Sequence, residues 1–299
     1  MTGRRRILVA ANPAAGGGRA SAIIPRVVAT LEGRGHEVEL CQESSGKELL
    51  RSLRAQLESA PDAVVAIGGD GTVHLAINAL GVHPVCPLGV IPVGTGNDIA
   101  ASWGIPADSD QAIERLLTSL ARPTRRVDLG VVDGDDQARY FAAVYSAGFD
   151  AIVNERANAM RFPRGASRYI VALLIELASL RPRRYTLTID GQARSVEALL
   201  VAVANGPSFG GGMRVVPEAS VTDGKIEVFV LHPLPRLTFL RIFPRVFAGT
   251  HVTHPAVEIT QCESVSIDVD DIVGYLDGER HRALPVHIGV KQGALEVLS

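Results

Sequence analysis

Hydrophobic residues in the first part of the chain fall into short continuous blocks, Ile7–Ala11, Val38–Cys41, Ala63–Ile67 and Leu88–Pro92. Between them run segments of helical period: Ala20–Gly33, then Lys47–Leu57 with leucines at 49, 50, 53 and 57, then a helix ending at Leu80. Continuous apolar strands alternating with helices predict a parallel sheet covered on both faces, a three-layer α/β domain. Ligands of such sheets bind beyond the carboxyl ends of the strands. Three of these strands run straight into polar, glycine-rich loops, Asn12–Gly18, Gly68–Thr72 and Gly94–Asp98, all expected on one edge.

The pattern changes near Arg125–Gly130. Beyond it come alternating or β-branched runs at Val127–Val132, Tyr140–Ala147, Tyr185–Asp190, Ala198–Ala204, Lys225–Leu231, Val265–Val269 and Pro285–Gly289. Asp190-Gly191, Asp223-Gly224 and Asp277-Gly278 punctuate them as turns. This predicts an antiparallel β-rich, sandwich-like domain with helices at Ala166–Leu180 and Leu237–Phe247. The expected division is 1–127 and 128–299, with the end of the chain returning to the N-terminal domain.

Composition narrows the class. With 299 residues the chain exceeds the usual size of a single core. Apolar residues at 46% and charged residues at 21% suit a soluble protein, and a net charge of −2 gives no electrostatic case for nucleic acid. Three cysteines without metal-type spacing point to a reducing compartment. The basic start, Arg4–Arg6, precedes no apolar region of signal-peptide length, and the longest apolar stretch, Tyr169–Leu180, is short and interrupted by Glu176. The expectation is a cytoplasmic protein, at most peripheral at the inner membrane face.

The glycine loops carry the candidate chemistry. Backbone N–H groups converging at a strand–helix turn bind phosphate, and glycine permits close approach. Gly68, Gly69 and Gly71 supply that geometry, Asp70 a carboxylate for Mg²⁺ and Thr72 a hydroxyl at the helix start. A tight turn without a ligand explains the same residues equally well. Neither a Walker loop nor a G-x-G-x-x-G dinucleotide loop is present.

Taken in order, Asn12-Pro13-x-x-Gly16, Gly68-Gly69-Asp70-Gly71-Thr72 and Pro92-Val93-Gly94-Thr95-Gly96-Asn97-Asp98 resemble the diacylglycerol kinase catalytic family. That family takes in bacterial diacylglycerol kinases, YegS-like lipid kinases and sphingosine kinases. The resemblance continues through Ser146–Asp150, Ala204-Asn205-Gly206, Gly210–Gly212, Pro217-x-Ala219-x-x-x-Asp223-Gly224 and Leu276-Asp277-Gly278-Glu279, so it spans almost the whole chain. It implies ATP and Mg²⁺ as cofactors, with the nucleotide between the domains and a lipid substrate taken from a membrane surface. Asn12, Pro13, Arg19 and Ser45 are then expected near the nucleotide, the 68–72 loop on phosphate, and Gly94, Thr95, Gly96 and Asn97 closing the other side. Asp98 reads equally as a plain N-cap. Two departures stand out: Leu75 replaces an acid common in relatives, and Arg19 replaces a lysine, a fork in place of a point charge.

On turn propensity alone, Asp277-Gly278 is an ordinary β-turn. The resemblance makes Asp277 and Glu279 the catalytic pair, with Asp277 as general base and Glu279 as a supporting or Mg²⁺-organising acid; Asp70 is the competing base. It also implies a structural Mg²⁺ held by Asp223 and the carbonyls of Ser220 and Lys225. His251 and His254 read as solvent-exposed, and Asp133–Asp136 as a solvated loop. Arg181–Arg184 is a basic patch, and Arg236–Phe247 a basic amphipathic helix able to meet a membrane. A homodimer is compatible with the sequence. The expected function is an ATP- and Mg²⁺-dependent lipid kinase with diacylglycerol as acceptor. The alternatives are an NAD kinase-like or other small-molecule kinase, and a catalytically silent lipid- or nucleotide-binding regulator.

Overall fold

The computed structural model describes residues 3–81, 86–133, 138–148, 153, 156, 159–160, 162, 171–172, 175–176 and 181–299. The chain divides into two compact units, Met1–Leu129 with Lys291–Ser299, and Gly130–Val290.

In the first unit, β1 (Arg6–Ala11), β2 (Glu37–Gln42), β3 (Ala63–Gly68) and β4 (Leu88–Pro92) form a parallel sheet in the order β2-β1-β3-β4. The last residues of the final strand, β16 (Val286–Leu298), join β4 in parallel register. β3 and β4 are buried at every position, which explains their unbroken apolar runs, whereas the edge strand β2 is largely exposed. Helices α1 (Ala20–Gly33), α2 (Gly46–Leu57) and α3 (Asp70–Leu80) follow their strands. On α1 the buried residues Ala20, Ile24, Val27 and Leu31 sit three or four positions apart, the stripe a helix needs to face a sheet. After α4 (Asp98–Ser102) comes α5 (Ser109–Ser119), whose Ala112, Ile113 and Leu116 form its buried stripe. Asp108 caps α5, and Leu116 packs over Gly89 of β4, where a Cβ would lie 2.6 Å from its methyl.

The second unit holds two antiparallel arrays. One contains the first part of β16, β13 (Ser264–Asp268), β8 (Arg183–Ile189) and β9 (Gln192–Ala198). Residues Gly130–Val132 of β5 (Arg125–Val132) pair with β6 (Arg139–Phe141). The other array has the order β12-β11-β10-β7-β14-β15, formed by β7 (Val144–Gly148), β10 (Leu200–Ala204), β11 (Ile226–Leu231), β12 (Val257–Cys262), β14 (Val273–Leu276) and β15 (Glu279–Ala283).

Three expected elements come out differently. The run Tyr140–Ala147 is two strands, broken at Ala142–Ala143, whose N–H groups turn to Asp277. The run Ala198–Ala204 is the end of β9 and all of β10, because the chain changes sheets at Leu199. The helix at 237–247 is α6 (Arg236–Ile242) followed by a 3₁₀ turn, Phe243–Val246, since Pro244 has no N–H to continue an α ladder. Most of the helix expected at Ala166–Leu180 lies outside the described residues, as do Phe149, Asp150 and most of Asp133–Asp136.

Alternation explains the layering of the second unit. Val201, Val203, Val228 and Val230 enter a core with Tyr185, Leu187, Val265, Ile267 and Ile288 of the facing strands. Ala202, Ala204, Phe229 and Leu231 point to the opposite face and are covered by Met213, Phe239 and Val246. The central strands β7, β10 and β11 are therefore buried on both faces, while the edge strands β12 and β15 are partly exposed. Among the described residues, no helix is long and apolar enough to cross a membrane.

Candidate functional site

At the carboxyl ends of β1, β3 and β4 the three glycine loops pack backbone on backbone. A Cβ on Gly94 would lie 2.6 Å from Gly69 Cα, and one on Gly16 would lie 1.9 Å from the carbonyl oxygen of Val93. Only glycine fits at these two contacts. Asn97 holds a left-handed backbone, φ 58°, and closes its loop on itself: Gly94 N donates to Asn97 Oδ1 at 2.9 Å, and Asn97 Nδ2 donates to Gly94 O at 3.0 Å. Arg19 braces the assembly, its Nη2 donating to the carbonyls of Val93 and Gly94, both at 2.9 Å, and its Nε to Gly16 O at 3.1 Å. The guanidinium thus joins the first loop to the third.

Asp70 opens α3 and reaches the neighbouring helix, accepting from the N–H of Ile99 at 3.0 Å. Asp70, with Asn97 as the residue preceding the helix, thus serves the start of α4, where Asp98 had been read as a cap. Thr72 is buried, its Oγ1 standing 2.1 Å from where a Cβ on Gly68 would be. Gly71 lies in the first turn of α3, where the N–H groups of Thr72 and Val73 donate to Gly69 O at 2.9 and 3.1 Å. Asn12 Oδ1 accepts from Ala14 N at 2.9 Å, and Pro13 O from Ser21 Oγ at 3.0 Å, fixing the first loop. Ser45 caps α2 through Glu48 N at 3.2 Å. Thr95 is exposed and Gly96 half-buried. Leu75 also finds its reason here: its methyl would lie 3.2 Å from a Cβ on Gly46, so it packs α3 on the start of α2, where an acid would be desolvated.

In the second unit, Asp277 and Gly278 form a two-residue hairpin loop between β14 and β15, with φ of 49° and 88°. Positive φ at both positions is the requirement of a type I′ turn. The Asp277 side chain reaches 135 positions back along the chain to accept from Ala142 N at 3.0 Å through Oδ2. Its Oδ1 accepts from Ala143 N at 2.9 Å and Val144 N at 3.1 Å. The same turn is held from its carbonyl side by the fully buried Asn205, whose Nδ2 donates to Ala142 O at 2.9 Å. β7 and β14 also fit closely, since a Cβ on Gly274 would lie 1.8 Å from Tyr145 Oη.

Both Asp277 oxygens accept from backbone donors, so this carboxylate anchors its own hairpin to the 142–144 turn. Glu279, the first residue of β15, is exposed, and no hydrogen bond or ion pair engages its carboxylate among the described residues. Asn205 is the residue that motif reading quoted without a role; its only sequence signal was its place in Ala204-Asn205-Gly206.

The Asp223 turn lies at the opposite edge of the same array, before β11. Asp223 Oδ1 accepts from Lys225 N at 3.0 Å and Oδ2 from Gln261 Nε2 at 3.3 Å, while Ser220 Oγ lies 3.3 Å from Thr222 Oγ1. Gln261 also reaches Glu227 Oε1 at 3.2 Å; burial pushes the Glu227 carboxyl up to about 7. Among the described residues, no cluster of three or more His, Cys, Asp or Glu side chains is gathered for a metal ion. The donor set at this turn still fits Mg²⁺: it is all hard oxygen, and each Asp223 oxygen accepts one recorded bond and retains a second lone pair.

Between the outer face of β10 and β11 and the α6 segment lies an apolar cavity of about 90 Å³, lined by Leu200, Phe229, Leu231, Phe239, Val246 and His251 among others. His251, expected at the surface, is only 3% exposed. Its Nε2 donates to Val215 O at 3.0 Å and its buried Nδ1 has no hydrogen-bond partner. Burial holds its pKa below the ordinary histidine value, and Arg245 adds to that, against the opposing Val215 bond. The unfolded chain therefore binds the extra proton first, and stability is lost as pH falls below about 6.5. Replacing His251 with Gln keeps a donor at the Nε2 position for Val215 O but removes the titration. The melting temperature of the wild type should accordingly fall relative to that of His251→Gln between about pH 7 and 5. Parallel melting curves across that range would refute the burial of a neutral imidazole.

Comparison with known proteins agrees with this architecture. A family model for the diacylglycerol kinase catalytic domain matches residues 6–132, and one for the YegS C-terminal NAD kinase beta sandwich-like domain matches residues 142–299. A diacylglycerol kinase of Mycobacterium tuberculosis (strain CDC 1551 / Oshkosh) is 35% identical over 295 residues, covering 98% of this chain and 94% of that protein. The crystal structure of a diacylglycerol kinase from Bacillus anthracis str. Sterne superposes with a TM-score of 0.73 at 19% identity, over 99% of this chain and 96% of that one. An NAD kinase from Archaeoglobus fulgidus, solved in complex with ATP, shares the fold with a TM-score of 0.52 at 14% identity, over 98% and 92% of the two chains. The two family models take in nearly the whole chain, which belongs to the diacylglycerol kinase catalytic family.

Proposed function

We propose that this protein transfers the γ-phosphate of ATP, with Mg²⁺, to a lipid hydroxyl, the acceptor being diacylglycerol and the product phosphatidic acid. The observation that carries the lipid reading is the apolar cavity in the same unit as Glu279. Among the described lining residues His251 is the one polar side chain, so the cavity suits hydrocarbon better than a dinucleotide. This favours the lipid acceptor over the NAD kinase-like alternative, and the retained Asp70 and Glu279 favour an enzyme over a silent regulator.

The 68–72 and 94–97 loops bind the nucleotide phosphates through backbone N–H groups and the α3 N-terminus. Arg19 fixes the two loops against each other through their carbonyls. Asp70 would hold the Mg²⁺ that accompanies ATP, which when bound neutralises phosphate charge; one carboxylate plus phosphate oxygens is a usual set for that ion. Asp223, with the carbonyls of Ser220 and Lys225, would hold a structural Mg²⁺. Glu279 accepts the proton of the lipid hydroxyl as it attacks, and Asp277 positions the hairpin that carries Glu279.

The test is incubation with γ-labelled ATP and Mg²⁺ over a panel of dioctanoylglycerol, phosphatidylglycerol, sphingosine and NAD. Label in phosphatidic acid is the expected result. Label in NAD with none in any lipid overturns the reading.

A further inference from the structure

The segment Arg236–Phe247 has two unlike faces. Phe239, Ile242 and Val246, spaced by three and four, turn inward and line the cavity. Leu237, Leu240, Pro244 and Phe247, spaced by three, four and three, fall on another stripe. On that stripe Leu237 is 69% exposed, Leu240 40% and Phe247 51%. A ladder of rings joins the two faces: Phe239 stacks on Phe243 at 5.8 Å between centroids, and Phe243 meets Phe247 edge-on at 6.3 Å.

Charge identifies what covers the outer stripe. From His232 to Val257 the sequence contains three arginines, Arg236, Arg241 and Arg245, and no aspartate or glutamate. The next acid, Glu258, is engaged by Arg194 and His232. Exposed leucines and a phenylalanine flanked only by cations match a bilayer carrying anionic headgroups. Within 232–257 a soluble partner of mixed charge would find no acid to pair with its own basic groups. The cavity supplies continuity: at about 90 Å³ it is smaller than the ~150 Å³ that accepts a benzene-sized guest, so an acyl chain needs its wall to yield, and this segment is that wall.

We propose that the outer face of Arg236–Phe247 is a docking surface for an anionic lipid bilayer, placed over the cavity that takes the acyl chain. The cavity part of the argument rests on the lipid-kinase reading; the charge and exposure part does not.

The test is co-sedimentation of the full chain with phosphatidylcholine vesicles, with and without phosphatidylglycerol. Binding is expected only when phosphatidylglycerol is present. The triple variant Leu237→Ser, Leu240→Ser, Phe247→Ser should lower the partition coefficient by about tenfold or more. Arg236→Gln and Arg241→Gln should each lower it about fivefold. Turnover of dioctanoylglycerol in monomeric solution should survive in the triple variant, which separates docking from misfolding. Wild-type vesicle binding by the triple variant overturns the surface, as does failure of the wild type to bind. Concentration-dependent self-association that the triple variant abolishes, with no vesicle binding, assigns the face to a second copy and also overturns it. If vesicle binding behaves as expected while no lipid is phosphorylated, the surface stands and the reaction assigned above falls.

Discussion

Glu279→Gln should lower turnover by about 10²–10⁴-fold while leaving the melting temperature unchanged, because the substitution removes one proton-accepting group and little else. The side chain is exposed and engages no recorded partner, so its loss belongs with surface changes worth less than about 0.5 kcal/mol. Glutamine preserves shape and hydrogen-bonding reach but cannot take the hydroxyl proton. With nucleotide binding assigned by the proposal to loops of the other unit, the KM for ATP should stay near the wild-type value. Steady-state kinetics with dioctanoylglycerol, paired with thermal melts, reads both halves. Full turnover in the variant would remove Glu279 from the chemistry and return Asp70 to first candidate. Asp70→Asn is the control, and its effect should include nucleotide affinity, since Asp70 heads α3 and also serves the start of α4.

The parts of the fold that were legible in the sequence are those whose cause is local. β3 and β4 are buried at every position, so their apolar runs announced a parallel sheet. The glycine loops were legible because close backbone approach leaves no alternative residue, as the 2.6 Å contact between a Gly94 Cβ and Gly69 Cα shows. β9 and β2 were hidden or weak because edge strands with exposed side chains carry no apolar alternation. The break at Ala142–Ala143 was invisible for a different reason: its cause is a carboxylate 135 positions away. The bracing role of Arg19 is likewise set by carbonyls 74 and 75 positions on. His251 was misread because a histidine in a turn-rich segment looks solvated until Phe229 and Val215 close around it. The acid pair at 277 and 279 was found by motif, but no motif shows that Asp277 anchors the hairpin through three backbone N–H groups.

Asp277→Ala should cost about 3–5 kcal/mol, since the N–H groups of Ala142, Ala143 and Val144 lose their acceptor in a half-buried turn. A further part of that cost is conformational, because alanine must hold a φ of 49° that aspartate and asparagine tolerate better. In a unit of this size the melting temperature should fall by about 10 °C. Asp277→Asn should lie between the two, keeping one acceptor oxygen and the left-handed backbone while presenting an amide to donors that need an acceptor. Turnover should fall with stability in the order wild type, Asn, Ala, because the hairpin that places Glu279 loosens as its anchor weakens. That graded coupling distinguishes a positioning residue from a proton acceptor. Glu279→Gln should separate activity from stability; the Asp277 series should move them together. An Asp277→Asn variant that melts like the wild type yet turns over nothing would hand the proton-accepting role back to Asp277, and the three backbone bonds would then have to open during the reaction.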